Sequence, residues 1–327
     1  MKPLTPIAAI KRLLRDWTLP VAIVAGIVVY VAFAYIPALD SAGDRLLPWM
    51  DVLLPLAMAM ILFVNFCRID FHAMRLRAWH WQVTAFQLAT VAIAVAITLS
   101  HDLSPRGVII VEGLLTCVIG PGAAAAAVVT GKLGGDMASM TTYTFLSNIV
   151  TAVMVPIVFP LIDPQVDMPF VEAFLKILYK VALVLLVPMA AAYVVKHRTP
   201  RLLAAITAVP DLAFYLWGIS LALTTGVTAR GIAHSGQTVG TLLLMAVVSA
   251  LLCMMQFAVG RWIGRRHGIT SEGGQALGQK NTSFAVWIAY TYLSPVSSVV
   301  PGCYILWQNI VNSLELYHHR LSTTIKK

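Results

Sequence analysis

Ten apolar runs of about twenty residues, separated by short polar segments, restrict this chain more than any other feature in it. A helix needs roughly twenty residues to cross about 30 Å of hydrocarbon. Runs of that kind cover 17–36, 47–66, 79–100, 108–133, 138–162, 174–196, 208–227, 238–262, 269–293 and 296–317. Composition agrees, since 59% of the 327 residues are hydrophobic, only 11% are charged, and the mean hydropathy is +0.82. A soluble domain of this length carries roughly twice that share of charge. The expectation is an all-α polytopic membrane protein with ten transmembrane helices. The first run has a basic lead-in (Lys2, Lys11, Arg12, Arg15) like a signal peptide, but its apolar part is long for one and it has a counterpart later in the chain. It reads as a retained helix.

Charge sets the orientation. Alternate ends of the runs collect Lys2, Lys11, Arg12, Arg15, Arg68, Arg75, Arg77, Lys132, Lys196, Arg198, Arg201, Arg261, Arg265, Arg266, Arg320, Lys326 and Lys327, whereas the opposite ends hold Arg45, Arg106 and Arg230 beside Asp40, Asp44, Asp163 and Asp167. This bias places both termini in the cytoplasm, as expected for a bacterial inner-membrane protein. It accounts for most of the net charge of +9, so nucleic acid is not needed as a partner. The lipid bilayer is.

The runs fall into two sets of five: 17–162, and 163–317, between a basic cytoplasmic segment at 1–16 and a cytoplasmic tail at 318–327. Trp79 and Thr238 are 159 residues apart and Ala138 and Val296 are 158 apart. Five is odd, so the second set enters the membrane from the other side, giving two inverted five-helix repeats. The fourth run is interrupted by Gly120-Pro121-Gly122, which cannot continue a regular helix. An offset of 158 from Gly120 lands on Gly278, followed by Gln279-Lys280-Asn281 in the ninth run, the most polar of the ten. Broken, crossing helices 4 and 9 therefore point to a site at the bilayer midplane.

Lys280 is the deepest charge, and a charged side chain there costs about 2.5–3.5 kcal/mol on insertion scales, so its default reading is functional. Glu112 is either its partner, a second proton carrier, or an interfacial acid. Asp51 and Asp211 read as interfacial caps, Glu172 and Lys176 as a helix ion pair, His318 and His319 as solvated, and Trp79, Trp81 and Trp262 as interfacial aromatics. The four cysteines show no CxxC spacing and read as packing residues. Gly131–Gly135 lacks P-loop spacing and reads as a turn. Neither a catalytic pair nor a metal signature is present, so an enzyme is not expected.

Residues 278–317, GQKNTSFAVWIAYTYLSPVSSVVPGCYILWQNIVNSLELY, resemble the end of the bile acid:sodium symporter family, and 117–136, CVIGPGAAAAAVVTGKLGGD, look like that family's first broken helix. The resemblance implies a core domain of spans 3–5 and 8–10 against a panel of spans 1, 2, 6 and 7. Carried over position by position, its sodium ligands mostly fail here. A Ser-Asn pair becomes Ala126-Ala127, two hydroxyl positions become Met140 and Thr144, a shared glutamate becomes Ala276, and a glutamine becomes Lys280. A third-span glutamine corresponds to Gln87. The substrate-facing asparagines are matched by Asn281 and Asn309.

Sodium needs several oxygen ligands, and an ammonium among alanines supplies the positive charge instead. The expectation is a sodium-independent secondary transporter, without cofactor or metal, in which Lys280 replaces the ions and, with Glu112, is a candidate proton carrier. Lys280, Asn281, Asn309, Gln279, Pro121, Gly122 and Thr144 are the expected substrate residues, and the partner is a small organic anion, bile-acid-like or smaller. The alternative is a non-transporting membrane receptor or sensor for such an anion. A monomer or weak dimer is expected.

Overall fold

A computed structural model of the chain describes residues 18–36, 39–69, 74–100, 102–162, 169–209 and 212–325. The basic segment 1–16, Asp163, Asp167, Asp211, Lys326 and Lys327 lie outside the described residues. Within them the chain is helical: α1 (Thr18–Tyr35), α2 (Asp40–Arg68), α3 (Ala78–Leu99), α4 (Pro105–Ile119), α5 (Ala125–Lys132), α6 (Met137–Ile162), α7 (Phe170–Arg198), α8 (Pro200–Thr207), α9 (Leu212–Ala233), α10 (Val239–Arg265), α11 (Thr270–Gly278), α12 (Thr282–Tyr292) and α13 (Val299–Ile325). A 3-10 turn, Pro295–Ser298, leads into α13.

Among the described residues five segments are long and apolar enough to cross a membrane: Pro48–Arg68, Ala78–Leu99, Met137–Ile162, Phe170–Arg198 and Val239–Arg265. The protein is a helical membrane protein. The fourth and ninth apolar runs are absent from those five because each is broken, into α4 and α5 and into α11 and α12. The tenth run is absent because α13 carries Gln308, Asn309, Asn312 and Glu315.

Local chemistry sets these boundaries. Ser104 caps α4 by accepting from Gly107 N at 3.2 Å, with Pro105 in the first turn where its missing N–H costs nothing. Gly120 ends α4 in an extended conformation (φ −55°, ψ 143°), which Pro121 requires of the residue before it. Asn281 begins α12 by accepting from Phe284 N at 3.2 Å. Gly134 (φ +78°) turns the chain between α5 and α6, as the GKLGG pattern predicts.

The two breaks meet. Ala123 N donates to Gln279 O at 2.9 Å and Asn281 N donates to Pro121 O at 2.8 Å, so Gly122 and Lys280 face each other as an antiparallel bridge. Each break thus satisfies backbone groups that neither half-helix nor lipid could.

Around this crossing, α2 packs on α7 and α9, α1 on α9, α6 on α7, and α10 on α11 and α13. The largest apolar core joins Leu54, Met58, Leu62 and Phe66 of α2 with Val155 and Phe159 of α6, Val181 and Leu185 of α7, and Phe284, Trp287 and Ile288 of α12. A second cluster joins Trp79 and Val83 of α3, Ala126 and Ala127 of α5, Met140 and Tyr143 of α6, and Ala276 and Leu277 of α11. The α10–α11 hairpin is close enough that a Cβ on Gly260 would lie 2.1 Å from Gly273 O.

Three sequence expectations shift. Trp79 does not face the lipid: it is 2% exposed in the second cluster and donates to Ser139 Oγ at 3.3 Å, because α3 turns that face inward. Trp81 and Trp262 are exposed, the latter under the Arg266 guanidinium at 3.8 Å. Pro200 starts a separate short helix, which moves the start of the next long helix to Leu212. The segment 318–325 continues α13 instead of leaving it. The Glu172–Lys176 pair forms at 2.8 Å.

Candidate functional site

A cavity of ≈ 250 Å³ adjoins the crossing point. Ala123, Ala124 and Ala125 from the start of α5 form part of its wall, as do Asn281, Thr282 and Ser283 from the start of α12. The Ala124 side chain cannot cap α5. The positive ends of two half-helices thereby border one space.

The walls differ in character. Met58, Ile61, Leu62 of α2 and Trp217 of α9 make an apolar side, whereas Asn65, Gln279, Asn281, Gln308, Asn309 and Asn312 bring six side-chain amides. The charged residues lining it are Lys132 and Lys280, and among the described residues no carboxylate does. Gln308 Oε1 accepts from Lys280 N at 3.0 Å and its Nε2 reaches Thr282 Oγ1 at 3.3 Å, which ties α13 to the second break. Asn312 Oδ1 accepts from Gln275 Nε2 at 2.9 Å, and Asn281 Oδ1 is taken by Phe284 N. Both asparagines keep their NH2 groups available as donors.

Lys280 is fully buried, and its ammonium turns from the cavity to the C-terminus of α4, donating to Val118 O and Gly120 O at 3.2 Å each. Gln87 Nε2 approaches the same helix end, at 3.1 Å from Val118 O, 3.4 Å from Ile119 O and 3.4 Å from Gly120 O, and Tyr143 OH donates to Gln87 Oε1 at 3.3 Å. A cation at a helix C-terminus is favoured by the dipole and by unused carbonyls. Among the described residues Lys280 has no ion-pair partner.

Glu112 sits elsewhere: eight residues before Gly120 on α4, about 12 Å along the axis, accepting from Ser297 Oγ at 2.6 Å. Thr144 Oγ1 is bonded within its own helix to Met140 O at 3.1 Å. Pro121 and Gly122 serve the crossing through their backbones, Gly122 N donating to Ser147 Oγ at 2.9 Å. Gln279, Lys280, Asn281 and Asn309 come together at the cavity, with the Asn309 amide donating to Ile305 O at 2.8 Å. The positions carried over as Ala126, Ala127, Met140 and Ala276 come together as well, inside the apolar second cluster.

Sequence reasoning missed Asn65, Lys132, Trp217, Gln308 and Asn312. Gln308 and Asn312 are spaced i, i+4, and that signal marks one polar helix face. Lys132 was absorbed into the basic loops.

On the far side the helices close. Ser220 and Thr224 hydroxyls each lie 3.1 Å from Ser283 Oγ, a Cβ on Gly302 would meet Thr228 Cγ2 at 2.3 Å, and Arg230 Nη1 donates to Tyr290 OH at 3.2 Å. The cavity-lining residues that are exposed include Lys132 and Ser313.

A helical membrane protein whose two broken helices cross beside a cavity has the plan of a membrane transporter. The family model described as Sodium Bile acid symporter family matches residues 55–235, and the chain belongs to that family. No curated protein matches the chain.

Proposed function

We propose that the chain is a secondary transporter of a small organic anion that works by alternating access without sodium. The observation that carries this reading is the cavity itself. Lys132 and six amides line it, two helix N-termini border it, and no carboxylate faces it among the described residues. An anionic group fits the amide side, and an apolar body fits the side made by Met58, Ile61, Leu62 and Trp217. Its volume of ≈ 250 Å³ is below the ~300–1,000 Å³ usual for drug-sized ligands. That favours a small carboxylate over a sterol-sized one.

Sodium independence rests on two features. Ala126, Ala127, Met140 and Ala276 are enclosed among apolar neighbours and offer no side-chain oxygen. The Lys280 ammonium brings a cation to the end of α4, where it acts in place of a bound ion. A proton-carrier role for Lys280, with Glu112 as second carrier, belongs to this reading.

The architecture in this reading is ten spans in two inverted repeats. Gly122 and Lys280, paired across the crossing, are 158 residues apart, the same offset that relates Ala138 to Val296. Spans 3–5 and 8–10 form the core that rocks against spans 1, 2, 6 and 7. Positive charge at the ends near Arg68 and Lys132 supports a cytoplasmic side of the inner membrane for both termini and for the Lys132 end of the cavity.

Uptake of carboxylates into proteoliposomes, with sodium or choline outside, tests this directly. Equal uptake in both media is expected. A strict sodium requirement would overturn the ion-independent part, and saturable uptake of organic cations alone would overturn the anion assignment.

A further inference from the structure

The helix α13 borders two separate spaces. Asn309, Asn312, Ser313 and Leu316 line the cavity at the crossing, whereas Val311, Leu314, Glu315 and His318 line a second cleft of ≈ 480 Å³. The two sets are about two residues out of phase, roughly 200° around the helix, so the cleft lies on the opposite side of α13. Leu133 after α5, Arg261 of α10 and Ser271 of α11 complete it. Its carboxylate is already held: Arg261 Nε and Nη2 both donate to Glu315 Oε1, and Gln275 Nε2 donates to Glu315 Oε2 at 2.8 Å. Arg261 Nη1 takes no part in that pair. Glu272, next to Ser271, is buried and accepts from Asp136 N at 2.6 Å. Arg265 is exposed one turn further along the same face of α10, and His318 is exposed on α13. Donors therefore exceed acceptors at the cleft.

Its depth in the bilayer follows from its neighbours. Trp262, beside Arg261, is exposed under the Arg266 guanidinium, as an indole at headgroup level is. From Leu314 an exposed apolar stripe on α13 runs back through Ile310 and Leu306, toward the middle of the membrane. A guanidinium suits a phosphate oxygen, and the stripe suits acyl chains. We propose that the cleft is a binding site for one anionic phospholipid, its phosphate on Arg261 and its acyl chains along Leu314, Ile310 and Leu306. Basic pockets between helices at the membrane surface hold such headgroups. A free anion would use the guanidinium and leave the stripe uncovered, and a neutral lipid would do the reverse.

Native mass spectrometry of the purified full chain in detergent, titrated with dioleoyl phosphatidylglycerol, dioleoyl phosphatidylcholine or glycerol 3-phosphate, tests the site. One phosphatidylglycerol is expected to bind roughly 10-fold more tightly than phosphatidylcholine, and glycerol 3-phosphate should not displace it. Arg261→Gln combined with Glu315→Gln removes the guanidinium without stranding the carboxylate, and should abolish the preference. Leu314→Trp fills the cleft from an exposed position, so the fold tolerates it; it should weaken phosphatidylglycerol binding, and it decides the matter where the double variant does not fold. Arg198→Gln with Arg201→Gln removes two exposed cations at the junction of α7 and α8, and should leave the preference intact. Equal affinity for the two lipids, a preference surviving in the folded double variant, or binding unaffected by Leu314→Trp would overturn the site. A preference lost equally with Arg198 and Arg201 would replace it by general attraction to the basic face. Displacement by glycerol 3-phosphate would overturn the lipid and leave a simple anion site.

Discussion

The Lys280 ammonium donates to the Gly120 carbonyl at 3.2 Å, so a side chain from the second break closes the helix that ends at the first. One residue therefore serves both halves. Its backbone belongs to the crossing, through the bridge with Gly122, and its charge belongs to the end of α4. Gln87 supports the same helix end and Tyr143 orients Gln87, so the cation sits in a fixed polar frame.

Replacing Lys280 with methionine separates stability from transport. The change frees two carbonyls but also removes the desolvation cost of a buried charge, and the two effects oppose each other. The thermal midpoint is expected to hold or rise while uptake falls at least tenfold, about 1.4 kcal/mol or more in barrier height. Marked destabilisation with retained uptake would show that the lysine serves the fold alone.

Ala276→Glu would put a carboxylate into the cluster of Trp79, Ala126, Met140 and Leu277, where Ala276 is fully buried. An unpaired charge there costs on the order of 3–5 kcal/mol, and the added atoms overpack the cluster. Thermal unfolding should drop sharply and sodium should not restore it. Sodium-dependent rescue of stability would mean that enough oxygen ligands survive nearby to hold the ion.

Lys132→Glu reverses the charge at the cavity mouth, where the exposed lysine lines the opening. Apparent affinity for a carboxylate should weaken several-fold at low salt, through slower capture. The difference should shrink as ionic strength rises and the Debye length falls to about 8 Å or less. An effect independent of salt would place Lys132 in direct contact with substrate.

Gly260→Val tests the hairpin behind the second break. A Cβ at that position would lie 2.1 Å from Gly273 O, and the opposing atom is backbone, which cannot swing aside. Overpacking costs about 1–3 kcal/mol or more. A lowered unfolding midpoint is expected, together with lost uptake, since α11 delivers Gln279 and Lys280 to the crossing. Unchanged stability would mean that α10 and α11 separate easily.

Much of this was legible in the residues because membrane insertion leaves few choices. Apolar length, the Gly120-Pro121-Gly122 interruption and the polar Gly278–Asn281 stretch each had one reading in hydrocarbon, where a broken helix must line protein or a cavity. The sequence by itself determined that the chain is helical, membrane-spanning, and interrupted at those two points. It did not determine where Lys280 aims. Which carbonyls an ammonium reaches depends on how two half-helices 158 residues apart cross, and no local pattern encodes that. The same holds for Trp79, whose neighbours Met140 and Ala276 arrive from other helices and turn an expected interfacial ring into core. Asn65, Lys132 and Trp217 became cavity residues only when α2, α5 and α9 met, because a concave wall is a property of packing between elements, not of any one of them.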